Sequence, residues 1–176
     1  DFSGAQLLAC LSLLKPVGST YTLFADWRQD VYRKGSTVAV GADVIFTLHH
    51  NCRNTVMIND RANYLCNGSV APMPGLPQGV SPIVEAHTSS DTMASRAMEL
   101  ASAWSLAGAG VAILSPYTLQ NCSLGMTTNA FGLVITEDIA RLGQPGHVVF
   151  STIKGFKGVE ATSVVVVDLD QPGGSV

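Results

Sequence analysis

Charge is scarce in this chain. Only 13% of its 176 residues are Asp, Glu, Lys or Arg, against 47% hydrophobic. That balance excludes a disordered segment, which needs the reverse. The net charge is −3, so no global field draws the chain toward nucleic acid, and any anion site must be built from local clusters. The four cysteines, Cys10, Cys52, Cys66 and Cys122, form no CxxC pair and no zinc-ligand spacing. They read as buried or incidental thiols of a cytoplasmic protein rather than as a disulfide framework. No apolar run reaches the roughly 18 residues needed to span a bilayer, so no membrane partner is expected. Also missing are GxxxxGK[ST], a persuasive Ser/His/Asp or Cys/His set, and a clear acidic pair for Mg²⁺. His49 and His50 lack carboxylate or cysteine company, so no metal ligand is assigned. The chain can assist nucleotide chemistry but does not carry the parts to perform it alone.

What is present alternates between helix and strand patterns. Residues 4–14, GAQLLACLSLL, are apolar all round and read as a buried helix. Residues 20–26 and the start of 44–55 read as strands, and Asn54 or Thr55 caps a following helix. Four prolines and two glycines make 71–82 a loop, either between lobes or between elements. PIVEAH (82–87) reads as a short strand. The clearest helix is 89–108, capped by Ser90 or Asp91, with Met93, Ala97, Leu100, Ala101 and Trp104 as its apolar stripe. Strands follow at 111–116, 132–136, 147–152 and 162–169, and a helix is expected to begin in YTLQNCSLGMTTNAF. The run TSVVVVDL suits a central parallel strand covered on both faces. The alternation predicts an α/β fold with a doubly wound, mostly parallel sheet. In such folds the loops at the carboxyl ends of strands carry the chemistry.

Three of those loops stand out. DWRQDVYRK (26–34) mixes Gln29 and Asp26 with Arg28, Arg33, Lys34, Trp27 and Tyr32, which suits a phosphate at one end and a base at the other. HHNCRN (49–54) flanks Arg53 with Asn51 and Asn54, an arrangement that presents a guanidinium to phosphate. FSTIKGFKGVE (150–160) offers Lys154 and Lys157 to phosphates, glycines for close backbone approach, and Glu160 as an acceptor. Each also fits an ordinary solvated turn or a capped helix start.

The order of the three loops resembles the UvrD/Rep-like superfamily 1 helicases, from just after the Walker B motif through motif V. The family's motif III, GDxxQxIYxFRGA, is similar to ADWRQDVYRKG here, with Asp26, Gln29 and Tyr32 matching, Ala25 in place of Gly, and Lys34 where a stacking aromatic is common. Its motif IV core resembles LHHNCRNTVMINDRAN, with Asn51, Arg53, Ile58, Ala62 and Asn63 in register. A family strand is similar to VAILSPYTLQ. Motif V, T.H..KG.E, resembles TIKGFKGVE through Thr152, Lys157, Gly158 and Glu160, with Lys154 replacing the His.

The resemblance implies a RecA-like fold lacking its own P-loop: 1–43 as the tail of the first RecA-like domain with its motif III-like loop, and 44–176 as the second, ending before motif VI. Both ends are expected to be cut from something longer. It implies that Gln29 senses the γ-phosphate and Arg53 contacts it as a catalytic finger. Gly158 and Glu160 would lie at the nucleotide, Glu160 on its ribose. Tyr32, Thr152, Lys154 and Gly155 would face single-stranded DNA. The parent protein would use ATP and Mg²⁺ as an ATP-hydrolysing DNA helicase or translocase, with the Walker-motif domain of the same chain as partner. The chain alone would bind neither cofactor tightly and would not hydrolyse ATP. RNA in place of DNA, and a degenerate non-catalytic nucleic-acid-binding or scaffold module, are the alternatives.

Overall fold

The computed structural model of the chain describes residues 4–15, 17–24, 44, 46, 49–125 and 129–169. They belong to two units, Asp1–Val84 and Glu85–Val176. The division falls just past the proline-rich loop, and residue 43, where the first expected boundary lies, is outside the described residues. The architecture is α/β, with parallel strand pairing and helices beside the sheets. No helix among the described residues is long and apolar enough to cross a membrane.

Helix α1 spans Gly4–Ser12. Its expected burial is not found: Leu8 is 56% exposed, because no described neighbour in this unit encloses an all-round apolar helix. Residues 20–24 carry no strand, and residues 25 and 26 lie outside the described set. Strand β1 (His50–Asn51) pairs in parallel with β2 (Ala71–Pro72), and α2 (Val56–Cys66) connects them. Thr55 caps α2 by accepting the Ile58 N–H at 3.4 Å. Left-handed Asn67 closes it, with φ 48° and its N–H on the Asn63 carbonyl.

The interior of this small unit is polar. Asn59, 2% exposed, donates to the Val70 carbonyl at 3.0 Å and accepts from Asn51 Nδ2 at 3.0 Å. Asn63 grips Val70 on both sides, donating to its carbonyl at 2.8 Å and accepting its N–H at 3.2 Å. Side-chain amides thus stand where a larger unit would place apolar contacts. The loop after β2 straps the start of α2. Pro77 and Gln78 carbonyls accept the Val56 and Met57 N–H groups at 3.1 Å each, satisfying donors that a helix start cannot pair internally.

The second unit is built on α3 (Ser90–Leu106). Its cap is Ser89, one residue before the expected position, accepting the Thr92 N–H at 3.3 Å. Asp91 then falls in the first turn, where its charge suits the helix dipole. Gly108, at φ +83°, follows the helix end. Residues 82–87 form no strand; Pro82 brings no N–H to a ladder, and Glu85 is engaged by Arg96 instead.

Five strands follow: β3 (Val111–Ser115), β4 (Asn129–Ala130), β5 (Leu133–Thr136), β6 (His147–Thr152) and β7 (Ser163–Val166). Their spatial order is β4-β5-β6-β3-β7, parallel except for the β4–β5 hairpin. Every residue of β3 is buried. One face carries Val111, Ile113, Val148, Phe150, Ile135 and Val167 under Ala97, Met98 and Ala101 of α3, the two alanines leaving room for close approach and Met98 filling the space beside them. On the other face Phe156, with Val159, Ala161 and Leu142, covers Ala112 and Leu114. The sequence placed the 162–169 run in the middle of the sheet. It forms the edge instead: β7 pairs only with β3 among the described strands, and Val164 and Val166 are 40% and 43% exposed. The expected helix after β3 reduces to a 3₁₀ turn, Leu119–Asn121.

Topology marks one place on this sheet. From β3 the chain travels past β6 to reach β5, and from β6 it travels past β3 to reach β7. The neighbouring strands β3 and β6 therefore send their connections in opposite directions. That is a topological switch point, where open parallel sheets form a crevice beyond the strand ends.

Candidate functional site

The two strands at the switch point end side by side. Ser115 and Thr152 are register partners, so their side chains project to the same face. The Ile153 N–H then donates to the Ser115 carbonyl at 2.9 Å, carrying the pairing one step past the strand end.

Thr152 turns the chain over. Its Oγ1 accepts the Gly155 N–H at 2.9 Å and its carbonyl accepts the Phe156 N–H at 2.9 Å. The next turn closes with the Lys157 N–H on the Lys154 carbonyl at 3.4 Å and the Val159 N–H on Phe156 at 3.0 Å. Phe156 is 8% exposed and anchors the loop on Ala112 and Leu114. Lys154 and Lys157 flank that anchor and are exposed. Gly155 is needed for space: a Cβ there would lie 2.9 Å from Thr152 Oγ1 and 3.1 Å from Ser151 Oγ. Gly158 is needed for conformation, at φ +87° with open space around it. Glu160 is exposed just before β7. Thr152, Lys154, Gly155, Gly158 and Glu160 are thus carried by one ordered connection rather than a loose polar insert.

A second feature of the same strand ends was not read from the sequence. Ser115, 0% exposed, donates its hydroxyl to Asp168 Oδ2 at 2.7 Å, and its Oγ accepts the Tyr117 N–H at 3.2 Å. Asp168 also accepts the Ser123 N–H, 3.2 Å from each carboxylate oxygen. The Ser123 hydroxyl is buried beside this contact with no hydrogen-bond partner among the described residues. Tyr117 is 46% exposed at the exit of β3. Only the dipeptide Ser-Pro at a strand end, and an Asp closing an apolar strand, hinted at these residues.

Arg53 belongs to the first unit. It is exposed in the turn between β1 and α2, and its N–H donates to Asn51 Oδ1 at 3.0 Å. The Asn54 N–H shares that acceptor at 3.4 Å. Because Pro77, Gln78 and Thr55 already take the first amides of α2, the anion-binding capacity of this turn resides in the guanidinium rather than in the helix start. Asn51 and Asn63, matched to motif IV, hold the unit together through Asn59 and Val70. Cys52 is exposed, its Sγ 3.7 Å from the His50 carbonyl. The four cysteines are free thiols, and Cys122 alone is buried.

Gln29 and Tyr32 lie outside the described residues, as do Ala25, Asp26, Trp27, Arg28, Arg33 and Lys34. Among the described residues no three His, Cys, Asp or Glu side chains gather where a metal could bind.

One further charged cluster lies at the start of the second unit. Arg96 meets Glu85 through Nε at 3.1 Å and through its terminal nitrogen at 3.0 Å, and meets Glu99 at 3.0 Å. His87 lies 3.6 Å from Glu85. The hydrogen bonds from Arg96 hold the Glu85 carboxyl below its usual range, and the two carboxylates raise Arg96 in turn.

Comparison with protein-family models, with curated proteins and with solved structures finds no match to this chain.

Proposed function

We propose that the chain is part of an ATP-dependent DNA helicase or translocase, supplying loops that contact the γ-phosphate and the single-stranded DNA. The observation that carries this reading is the switch point between β3 and β6. The connection leaving it bears Thr152, Lys154, Gly155, Gly158 and Glu160, the motif V-like residues, at the place where parallel sheets bind ligands. On this reading residues 44–176 belong to the second RecA-like motor domain of the parent protein.

Arg53 contacts the γ-phosphate and stabilises charge as it develops in the transition state. The donor set fits that role: an exposed guanidinium whose backbone is fixed by Asn51. Glu160 accepts from the ribose hydroxyls of the nucleotide. Mg²⁺ in the parent protein would be held by the partner Walker-motif domain rather than by this chain, and would supply charge neutralisation for the triphosphate. Lys154 meets nucleic-acid phosphate as a point charge, and Thr152 and Gly155 shape the turn that presents it. Such backbone contacts carry little sequence information, so binding is tolerant of base order.

The test is ATP hydrolysis by the complete parent protein, with and without single-stranded DNA, beside this chain alone. DNA-stimulated turnover by the parent and none by the chain is the expected pattern. In the parent, Arg53→Ala slows turnover by about 10³-fold or more, as loss of an arginine finger does. A wild-type rate in that variant refutes the assigned role. A parent that is silent with DNA refutes the motor and leaves a non-catalytic module.

A further inference from the structure

We propose that Asp168 is a positioning residue that locks the exit loop of β3 against the exit loop of β6 and so fixes the mouth of the strand-end crevice. The proposal rests on the reading of that crevice as the nucleic-acid site.

Asp168 reaches residues far away in sequence: Ser115 is 53 positions off and Ser123 is 45. Its backbone is left-handed, φ 58°, a conformation that Asp tolerates better than most residues. Both groups that meet its carboxylate are donors, a hydroxyl and an amide N–H. The position therefore calls for a side chain that only accepts. Asn would keep one acceptor and turn an NH₂ toward one of the two donors.

Ser115 passes the constraint on. Giving its proton to Asp168 leaves a lone pair for the Tyr117 N–H, so the carboxylate sets which way the hydroxyl points. The carbonyl of the same residue holds Ile153, the first residue beyond β6. One buried serine thus joins Asp168, the loop carrying Tyr117 and the loop carrying Lys154. The second carboxylate contact pulls Ser123 N–H out of any continuing helix and ties the far end of the β3 loop to the same point.

The test uses the full 176-residue chain without ligand, by amide hydrogen exchange. In Asp168→Asn the Tyr117 and Ser123 amides exchange about tenfold faster or more, the effect of weakening a hydrogen bond to a charged group. The ladder amides of β3 and β6 keep their wild-type rates. Ser115→Ala reproduces the change at Tyr117, and Ser115→Thr, which keeps the hydroxyl, restores it. Unchanged rates at Tyr117 and Ser123 overturn the lock. Uniform acceleration across the sheet also overturns it, since that marks a general loss of stability. Fluorescence anisotropy with an oligo-dT probe supplies the functional arm, where Asp168→Asn raises Kd at least about fivefold, worth roughly one hydrogen bond. Binding by the wild type with an unchanged Kd in the variant overturns only the positioning role. Failure of the wild-type chain to bind the probe at low salt overturns the nucleic-acid reading itself.

Discussion

Replacing Asn59 with Ala tests whether side-chain amides, rather than apolar packing, hold the first unit. The substitution deletes two hydrogen bonds, to the Val70 carbonyl and from Asn51 Nδ2. The acceptor and the donor left behind do not suffer equally. Val70 retains the Asn63 amide at 2.8 Å, whereas Asn51 Nδ2 loses the partner that orients it. Taking about 1 kcal/mol for each lost bond, and part of the cost of an unpaired donor, gives roughly 2–3 kcal/mol. That corresponds to about a thirtyfold or greater loss of amide protection in α2, the helix that carries residue 59. The same change frees the Asn51 side chain that accepts the Arg53 and Asn54 N–H groups, so the turn presenting Arg53 loosens with it. Exchange measured by mass spectrometry on peptides covering 49–84 reads both effects. Asn59→Asp is expected to be worse, because a carboxylate facing the Val70 carbonyl places acceptor against acceptor. If α2 protection in Asn59→Ala stays within about twofold of wild type, the polar interior does not support this unit and the reasoning fails.

Gly155→Ala and Gly158→Ala separate two reasons for glycine in one loop. The first forces Thr152 Oγ1 away from a Cβ at 2.9 Å and loses its hydrogen bond, costing about 1 kcal/mol and weakening oligonucleotide binding. The second meets no atoms and costs about 1–2 kcal/mol through its left-handed backbone alone; equilibrium urea unfolding compares them, and equal stability to wild type in both refutes the loop geometry. The Glu85 carboxyl, held low by Arg96, contributes stability above the usual glutamate pKa that is lost as pH falls through its depressed folded value. Glu85→Gln therefore flattens the acid limb of thermal stability, an effect that shrinks in high salt because the groups are partly exposed, and an unchanged acid limb refutes the pairing.

Helix α3 and strands β5, β6 and β7 were legible because each carries its own periodicity or an unbroken apolar run. The rank of those strands within the sheet was not. The longer valine run of residues 162–169 looks more central than residues 111–116, yet burial assigns the centre to β3. Hydrophobicity reports that a strand is covered, and the crossovers decide where it lies. The helix expected after β3 failed for a local reason with a distant cause: the Ser123 N–H bonds to Asp168 instead of an earlier carbonyl. Asn59 is not legible in the sequence, because an amide inside a helix has no signature until its partners at 51 and 70 are known. The loop after β6 was read as polar, and its chemistry-bearing residues were visible. Its anchor, Phe156, is not visible there, since a single aromatic between two lysines gives no period to count. The motif III-like residues Gln29 and Tyr32 fall outside the described part of the chain.

The strap across the start of α2 also has a consequence for synthesis. Met57 and Gln78 are 21 residues apart, so the helix is complete on the nascent chain before the carbonyls that finish its first turn exist. At about 5–20 residues per second, that interval lasts on the order of one to four seconds. During it the Val56 and Met57 amides have only water to bond. The first turn of α2 is therefore among the last parts of its unit to set, completed by a segment that the ribosome delivers only after the helix is made.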